Sequence, residues 1–344
     1  YRRWIDTMTG ANRERLTRRS VLSTTVALTC GLAGCGSSGG QNGNGSGPTT
    51  ETAERQHSEQ VMAIESRVEE LYERLASLPI ARDGEFTFDL SAFEDDFDHK
   101  AISDRAGDIT ADVERLDDAG EITTERAETL TTLARLADDR ASQRYLLHQT
   151  IAAILAYARR VRETRYQAAM EPIEFARKKV DESSTLGQRV KTLQERLGGR
   201  DITVDGYHHE EVQEEQTVLL EATVWLSPIS EGLHHLDHGY VVLEEANRLL
   251  DREEAMAASE QYREANRRFE AASESFEKAR SHGRRIGYGA PIVEEARCSV
   301  SGLVKGTNTL AEAIEAIENE DERRGKSLAR KAIDGMEQQR NRCS

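Results

Sequence analysis

The sequence lacks the short motifs that mark common catalytic sites. It contains no G-x-S-x-G nucleophile elbow, no H-E-x-x-H zinc site, no phosphate-binding glycine loop and no dinucleotide-binding fingerprint. Each motif supplies a defined nucleophile, ligand set or anion cradle, so its absence excludes the hydrolases, metalloproteases and nucleotide-binding proteins that depend on it. We therefore expect no enzyme activity and no cofactor.

Lysine is also scarce, with eight residues in a chain of 344. Acidic residues outnumber basic ones by 62 to 46, which gives a formal net charge of −16. Nucleic-acid binding requires a basic face against the phosphates, so we expect no nucleic-acid partner. An acid excess with little lysine resembles proteins from salt-loving archaea, in which dense carboxylates keep the surface hydrated in concentrated salt.

The N-terminal segment has the order of an export signal. Arg18 and Arg19 form a twin-arginine pair, and the uncharged stretch that follows is too short to span a bilayer. This stretch is followed by the sequence Leu-Ala-Gly-Cys, whose last residue is Cys35. This order resembles archaeal lipoproteins of the twin-arginine export route. The resemblance implies a signal peptide over residues 1–34, with Met8 as the expected start, and a lipid anchor to the outer face of the cytoplasmic membrane at Cys35.

A flexible tether follows the expected anchor. Residues 35–52 are dominated by glycine, serine and other small polar residues, which offer nothing to bury. A coil of this composition spans roughly 20–25 Å. That reach is enough to hold a folded region just clear of a membrane surface.

Helical spacing of apolar residues continues from about residue 53 onward. Proline, the strongest helix breaker, occurs only five times in the chain. The first helical segment has apolar residues at 3-4-3-4-3 spacing, which predicts a coiled-coil-like seam: Val61, Ile64, Val68, Leu71, Leu75 and Leu78. We expect an all-α fold, an elongated antiparallel bundle of long helices with little or no β structure.

The helical region divides into two halves, residues 53–200 and residues 201–344, which we expect to pack as one unit. Pro172 and Pro228 are expected to end helices, because proline removes a backbone donor and clashes with the preceding turn. Two short segments alternate apolar and polar residues as strands do: residues 85–90 and 201–205. We interpret them as two extended connections rather than as paired strands.

Two cysteines lie in the helical region, Cys298 and Cys343. An even pair in an exported chain is a disulfide candidate. The helical pattern turns at residues 319–321, and the two cysteines lie almost equally far before and after Glu320. Residues equidistant from the turn of an antiparallel hairpin lie side by side, so we predict a disulfide between the two.

Histidine is concentrated in one part of the chain. Five of nine histidines fall between positions 208 and 238: His208, His209, His234, His235 and His238. His234 and His238 are four positions apart, so on a helix they share a face and could both bind one metal ion. A solvated polar helix face is the competing interpretation, and it is the one we favour. The acidic run at residues 94–98 is likewise interpreted as a solvated face rather than as a calcium site.

These observations lead to one expected function and one alternative. The expected function is a lipid-anchored, extracytoplasmic helical interaction or scaffold protein, with the membrane and an unknown protein as its partners. The alternative is a helical metal-binding or metal-sensing lipoprotein that uses the region from His208 to His238. The sequence does not name the partner, and a fold alone would not supply it.

Overall fold

The computed structural model describes residues 50–76, 81–82, 85–86, 98–162, 166–200, 202, 204–252, 254–285 and 290–343. These residues form long helices and one minimal hairpin of two-residue strands, so the fold is all-α as predicted. The helices are α1 Thr50–Ala76, α2 His99–Asp118, α3 Thr124–Arg162, α4 Tyr166–Leu197, α5 His209–Asp251, α6 Ala255–Arg285, α7 Ala290–Glu318 and α8 Glu322–Cys343. The strands are β1 Ala81–Arg82 and β2 Glu85–Phe86.

The helices form an antiparallel array in which each one packs against the next in sequence. From α2 to α8, each neighbouring pair in the chain is also a neighbouring pair in space. Helix α1 packs against both α2 and α3, and the β1–β2 hairpin lies beside α5. Short connections favour this up-and-down order, because a short loop can only return the chain next to the helix it leaves.

Two large apolar clusters lie along the array. The first joins α1, α2, the first half of α3 and the second half of α4. The second joins the remaining half of α3, the first half of α4 and helices α5, α6 and α7. Helices α3, α4 and α5 contribute to both clusters. The two sequence halves therefore share interior contacts along these three long helices.

Helix α1 forms the seam that its heptad spacing predicts. Ile64, Val68, Leu71 and Leu75 are all buried in the first cluster, and Val61 packs against it. Leu78 lies outside the described residues. The apolar positions predicted for α2 are also buried: Ile102, Ile109, Val113 and Leu116. Asp98 accepts a hydrogen bond from the Ala101 backbone at 3.1 Å and so caps the start of α2.

Neither predicted proline break occurs where it was expected. Pro172 lies inside α4, and Pro228 lies inside α5, a continuous helix of 43 residues. An interior proline costs a helix about 3 kcal/mol. Around Pro228 that cost is offset by burial on both sides, because Trp225, Leu226, Ile229 and Leu233 all lie in the second cluster. Tertiary packing therefore overrides the local preference.

The short extended segments behave partly as predicted. Glu85 and Phe86 pair with Arg82 and Ala81 in an antiparallel hairpin, rather than with the segment near residue 202. Residues 202 and 204 belong to a connection before α5 and form no strand. Helix α3 ends at Arg162, earlier than the proline at position 172 suggested.

Helices α5 and α6 interlock through glycines and phenylalanine rings. Gly232 and Gly239 lie two helical turns apart on α5, and each faces a ring of α6. A methyl group at Gly232 would come within 2.7 Å of Phe276 Cε1, and one at Gly239 would collide with Phe269. Glycine at these positions lets the two backbones approach while both rings stay buried.

A buried ion triad connects α3 with α5. Arg140 and Arg144 of α3 both pair with Glu215 of α5, and these side chains are 6%, 4% and 10% exposed. Burial alone would raise the pKa of Glu215, but the two guanidinium groups outweigh it and hold that pKa below its ordinary value. Arg144 also donates to the Leu75 carbonyl near the end of α1, at 2.6 Å. The triad thus ties α1, α3 and α5 together.

Candidate functional site

The predicted disulfide joins α7 to α8. Cys298 and Cys343 are bonded, with their Cα atoms 5.6 Å apart. That separation lies inside the usual range of roughly 4.4–6.8 Å. Gln339 lies beside the bond and donates to the Cys298 carbonyl at 3.2 Å. The disulfide closes the open end of the hairpin, opposite its turn.

The turn of this hairpin falls at residues 319–321, as predicted, between α7 and α8. Glu320 has φ of 63°, a left-handed conformation that glycine usually occupies. Two backbone bonds close the helix end: Glu320 donates to Ile317 at 3.0 Å, and Asp321 donates to Ala316 at 2.9 Å. Asp321 also caps α8 by accepting from the Arg324 backbone at 3.1 Å. The cap therefore holds a non-glycine residue in a conformation that costs about 1 kcal/mol.

The histidine cluster of the sequence is two separate groups in space. His208 and His209 lie at the start of α5, where the Tyr207 hydroxyl lies 2.9 Å from His209 Nδ1. His234 lies about seven turns further along the same helix, which at a rise of about 1.5 Å per residue is a distance of roughly 38 Å. Because α5 continues through Pro228, the chain cannot fold back to bring the groups together.

The second histidine group consists of His234, His235 and His238, which lie on α5 between α4 and α6. The rings of His234 and His238 are 4.5 Å apart between centroids. Burial, and then Arg177 of α4, lowers the pKa of His234 to about 4. Burial, and then Arg268 of α6, lowers the pKa of His238 as well. These imidazoles are therefore neutral near pH 7, as a metal ligand must be, but two fixed guanidinium charges beside them disfavour a divalent cation.

Carboxylates near these histidines do not complete a ligand set. The Glu231 carboxylate lies 4.0 Å from His235 Nε2, one turn away on α5. Over the described ranges, no group of three or more histidine, cysteine, aspartate or glutamate residues has an arrangement that could hold a metal ion. The pair His234 and His238, which the sequence singled out, does meet on one helix face.

Asp237 is a buried carboxylate that sequence analysis missed. It is 1% exposed, and neither of its oxygens has a hydrogen-bond partner among the residues that the structure describes. Burial, and then Glu244, raises its pKa to about 7. It ends a polar stripe of heptad period on the buried side of α5: Gln216, Thr223, Ser230 and Asp237. That period, set among apolar heptad positions, is the sequence signal that could have revealed it.

The predicted export and anchoring residues lie outside the described part of the chain. These are Arg18, Arg19 and Cys35, together with most of the acidic run at residues 94–97. Within the residues that the structure describes, no helix combines the length and apolarity that crossing a membrane requires.

The fold and the disulfide define a class, an antiparallel array of long helices with a covalently closed final hairpin. Comparison with known proteins adds no relative to this description: no protein-family model, no curated protein and no solved structure matches the chain.

Proposed function

We propose that this chain is an exported, lipid-anchored helical interaction protein. In this proposal the twin arginines direct export and Cys35 carries the lipid. The tether is shorter than the sequence predicted, residues 35–49 rather than 35–52, because α1 already begins at Thr50. It holds the helical array near the outer face of the membrane. The array then presents its long helices to a protein partner. Export, lipid anchoring and partner binding can each be tested by a separate measurement.

The disulfide is the observation that carries the proposal. Disulfides persist in oxidising compartments and are rare in a reducing cytosol. Cys298 and Cys343 are brought together by a whole hairpin, with a sequence separation of 45, rather than by chance proximity on one helix. A cross-link of this kind supports export, which the N-terminal residues indicate independently.

A shallow apolar groove between α3 and α4 supports a role in interaction. Phe175 is 42% exposed there, and Lys179 lies over its ring at 5.3 Å from the centroid. Small apolar residues of the same groove include Ala152, Ala156 and Pro172, and the paired side chains of Arg160 and Glu171 also line it. An exposed aromatic ring beside such a lining is typical of a protein-binding surface.

Cell fractionation tests export and anchoring. Wild-type protein is expected in the membrane fraction, and it should stay there after a wash in molar salt because the lipid holds it. The Cys35→Ala variant should be released by that wash or remain unprocessed. The double variant Arg18→Lys, Arg19→Lys should stay in the cytoplasm. A salt-resistant membrane pool of Cys35→Ala would contradict the anchor.

Affinity capture from solubilised membranes tests the interaction role. A partner that binds the groove should be recovered with the wild-type chain and lost with Phe175→Ser. Met256→Ser is the matched control, because Met256 is also exposed, at 72%, but lies on α6. Equal recovery with both variants would show that the groove does not bind the captured protein.

A further inference from the structure

The outer face of α8 carries a row of exposed cations. Arg323, Lys326, Arg330 and Lys331 line one side of this helix, with Asp334 as the acidic residue among them. Lys326 is paired with Glu322 of the same helix. The side chains of Arg323, Arg330 and Lys331 form no ion pair with any residue that the structure describes. Their charges therefore face solvent uncompensated.

Arginines elsewhere in the array are used differently. Many bridge neighbouring helices through carboxylates, as in the pairs Arg126–Glu65, Arg280–Glu294 and Arg263–Glu315. Helix α8 has seven basic and three acidic residues, a net charge of +4, whereas the whole chain has −16. Helix α8 is thus locally positive in a negatively charged chain. Within the described residues, its cations form no ion pair with another helix.

Packing of the inner face of α8 against α7 keeps the cations on the outer side of the helix. Gly302 of α7 lets Gln339 of α8 pack against it, and the disulfide ties the end of α8 to α7. The helix therefore cannot rotate its cations inward. Ile333, two turns after Lys326, is 50% exposed on the flank of the same face. Cations beside an exposed aliphatic residue are typical of a helix that lies on a membrane surface.

We propose that the outer face of α8 docks on the phosphate headgroups of an anionic membrane. The proposal rests on the proposed function, which places the chain beside a membrane. Charge complementarity selects the occupant, because the cations match lipid phosphates and the exposed Ile333 matches the headgroup boundary. The lipid at Cys35 and the face of α8 would then act as two linked contacts, the second of which orients the array.

The expected affinity of α8 alone for an anionic membrane is modest. Each lysine or arginine near an anionic surface raises the affinity about fivefold. Three unpaired cations therefore contribute about 100-fold, a gain that falls as salt screens the surface. The tether makes the second contact effectively intramolecular, so a weak site is sufficient to orient an anchored protein.

Vesicle sedimentation tests the proposal without the lipid anchor. The probe is the full chain carrying Cys35→Ser, mixed with vesicles of pure phosphatidylglycerol or pure phosphatidylcholine. We expect binding to phosphatidylglycerol in low salt, weaker binding in molar salt, and none to phosphatidylcholine. Combining Arg323→Gln, Arg330→Gln and Lys331→Gln should lower the affinity for phosphatidylglycerol about 100-fold. Because these side chains are exposed, circular dichroism should show an unchanged fold.

A second triple variant is the matched control. Arg248→Gln, Arg263→Gln and Arg267→Gln also remove three exposed positive charges, but each of these arginines is paired with a glutamate. This variant has the same net charge as the first one. It should keep vesicle affinity within a few fold of the parent, and an equal loss in both variants would overturn the assignment to α8.

Other outcomes separate this inference from the proposed function. Absence of phosphatidylglycerol binding overturns docking by α8 but leaves the fractionation result for Cys35 standing. Displacement from vesicles by inorganic phosphate at the same phosphate concentration would show a site for free anions and contradict a surface contact. Equally tight binding of single-stranded DNA that depends on the same three residues would contradict the lipid as the occupant.

Discussion

The α5–α6 pair and the α7–α8 pair use the same packing device with different partners. In each pair, two glycines on the first helix face side chains of the second. Gly232 and Gly239 of α5 face phenylalanine rings, whereas Gly302 and Gly306 of α7 face Gln339 and Met336. Both arrangements bring helices close together, but only the first buries large rigid groups.

The two pairs also differ in what holds them together, because only the α7–α8 pair carries a disulfide among the described residues. A buried aromatic side chain removes about 150–250 Å² from water, worth roughly 4–6 kcal/mol at about 25 cal/mol per Å². Among the residues of α8 whose burial the structure describes, only small ones are buried, namely Gly325, Ala332 and Cys343. The covalent bond adds stability to an interface in which α8 buries no large side chain. Four predictions test the comparison, from the largest expected effect to the smallest.

Removal of the disulfide should affect α8 far more than α6. Cys343→Ser should lower the local stability of α8 by about 4 kcal/mol, the chain-entropy value for a loop of this length. Hydrogen exchange of α8 amides should then accelerate about 1000-fold, while that of α6 amides should change little. Equal acceleration in both helices would show that α8 supports the whole array and would break the comparison.

Asp237 should make the α5 region sensitive to pH. Its pKa is raised from 3.8 to about 7 in the folded state, so the folded protein holds this proton more tightly than the unfolded chain does. Stability from this group is full below pH 3.8 and falls as pH rises through 7. Asp237→Asn should therefore reduce the stability lost between pH 5 and pH 8 by about 2–3 kcal/mol.

His234 acts in the opposite direction and must be separated from Asp237. Its pKa is lowered from 6.5 to about 4 in the folded state, so its contribution increases stability as pH rises from about 4 to 6.5. Denaturant unfolding at several pH values, with Asp237→Asn compared with wild type at each pH, isolates the carboxylate. Identical pH profiles for the two proteins would contradict a raised pKa at Asp237.

Replacing a glycine of α5 by alanine should destabilise the packing of α5 against α6. Gly232→Ala should cost about 1–2 kcal/mol, because overpacking against the Phe276 ring exceeds the gain in helix propensity. Gly306→Ala should cost less, since the neighbouring Met336 side chain is flexible and can move. Gly107→Ala is the control, with open space around it and an expected gain of up to about 1 kcal/mol. Thermal melting of all three variants measures the order.

The smallest effect is expected at the α7–α8 turn. Glu320→Gly should stabilise the hairpin by about 1 kcal/mol, because glycine adopts its φ of 63° without strain. Gly120→Ala, at the end of α2 with φ of 67°, should destabilise by a similar amount. Melting temperatures should shift upward for the first variant and downward for the second. A loss of stability in Glu320→Gly would show that the glutamate side chain has a structural role.

Local patterns predicted much of this fold, and the clearest error came from a local rule that tertiary packing overrides. The inward positions of α1 and α2 followed from spacing within single helices, as did the turn at residues 319–321. The expected break at Pro228 was wrong because burial in the second cluster offsets the cost of proline. The five histidines are close in sequence but not in space, because the continuous helix α5 separates the first two from the other three.

The sequence by itself determined the helical class, the buried faces and the pairing of Cys298 with Cys343. Each follows from a local period or from symmetry about one turn, which depend on backbone geometry alone. Tertiary structure decided the rest: the continuity of α5, the burial of Asp237, the rings opposite Gly232 and Gly239, and the outward cations of α8. These features depend on which helix packs against which, and non-local burial can outweigh any local preference of a few kcal/mol.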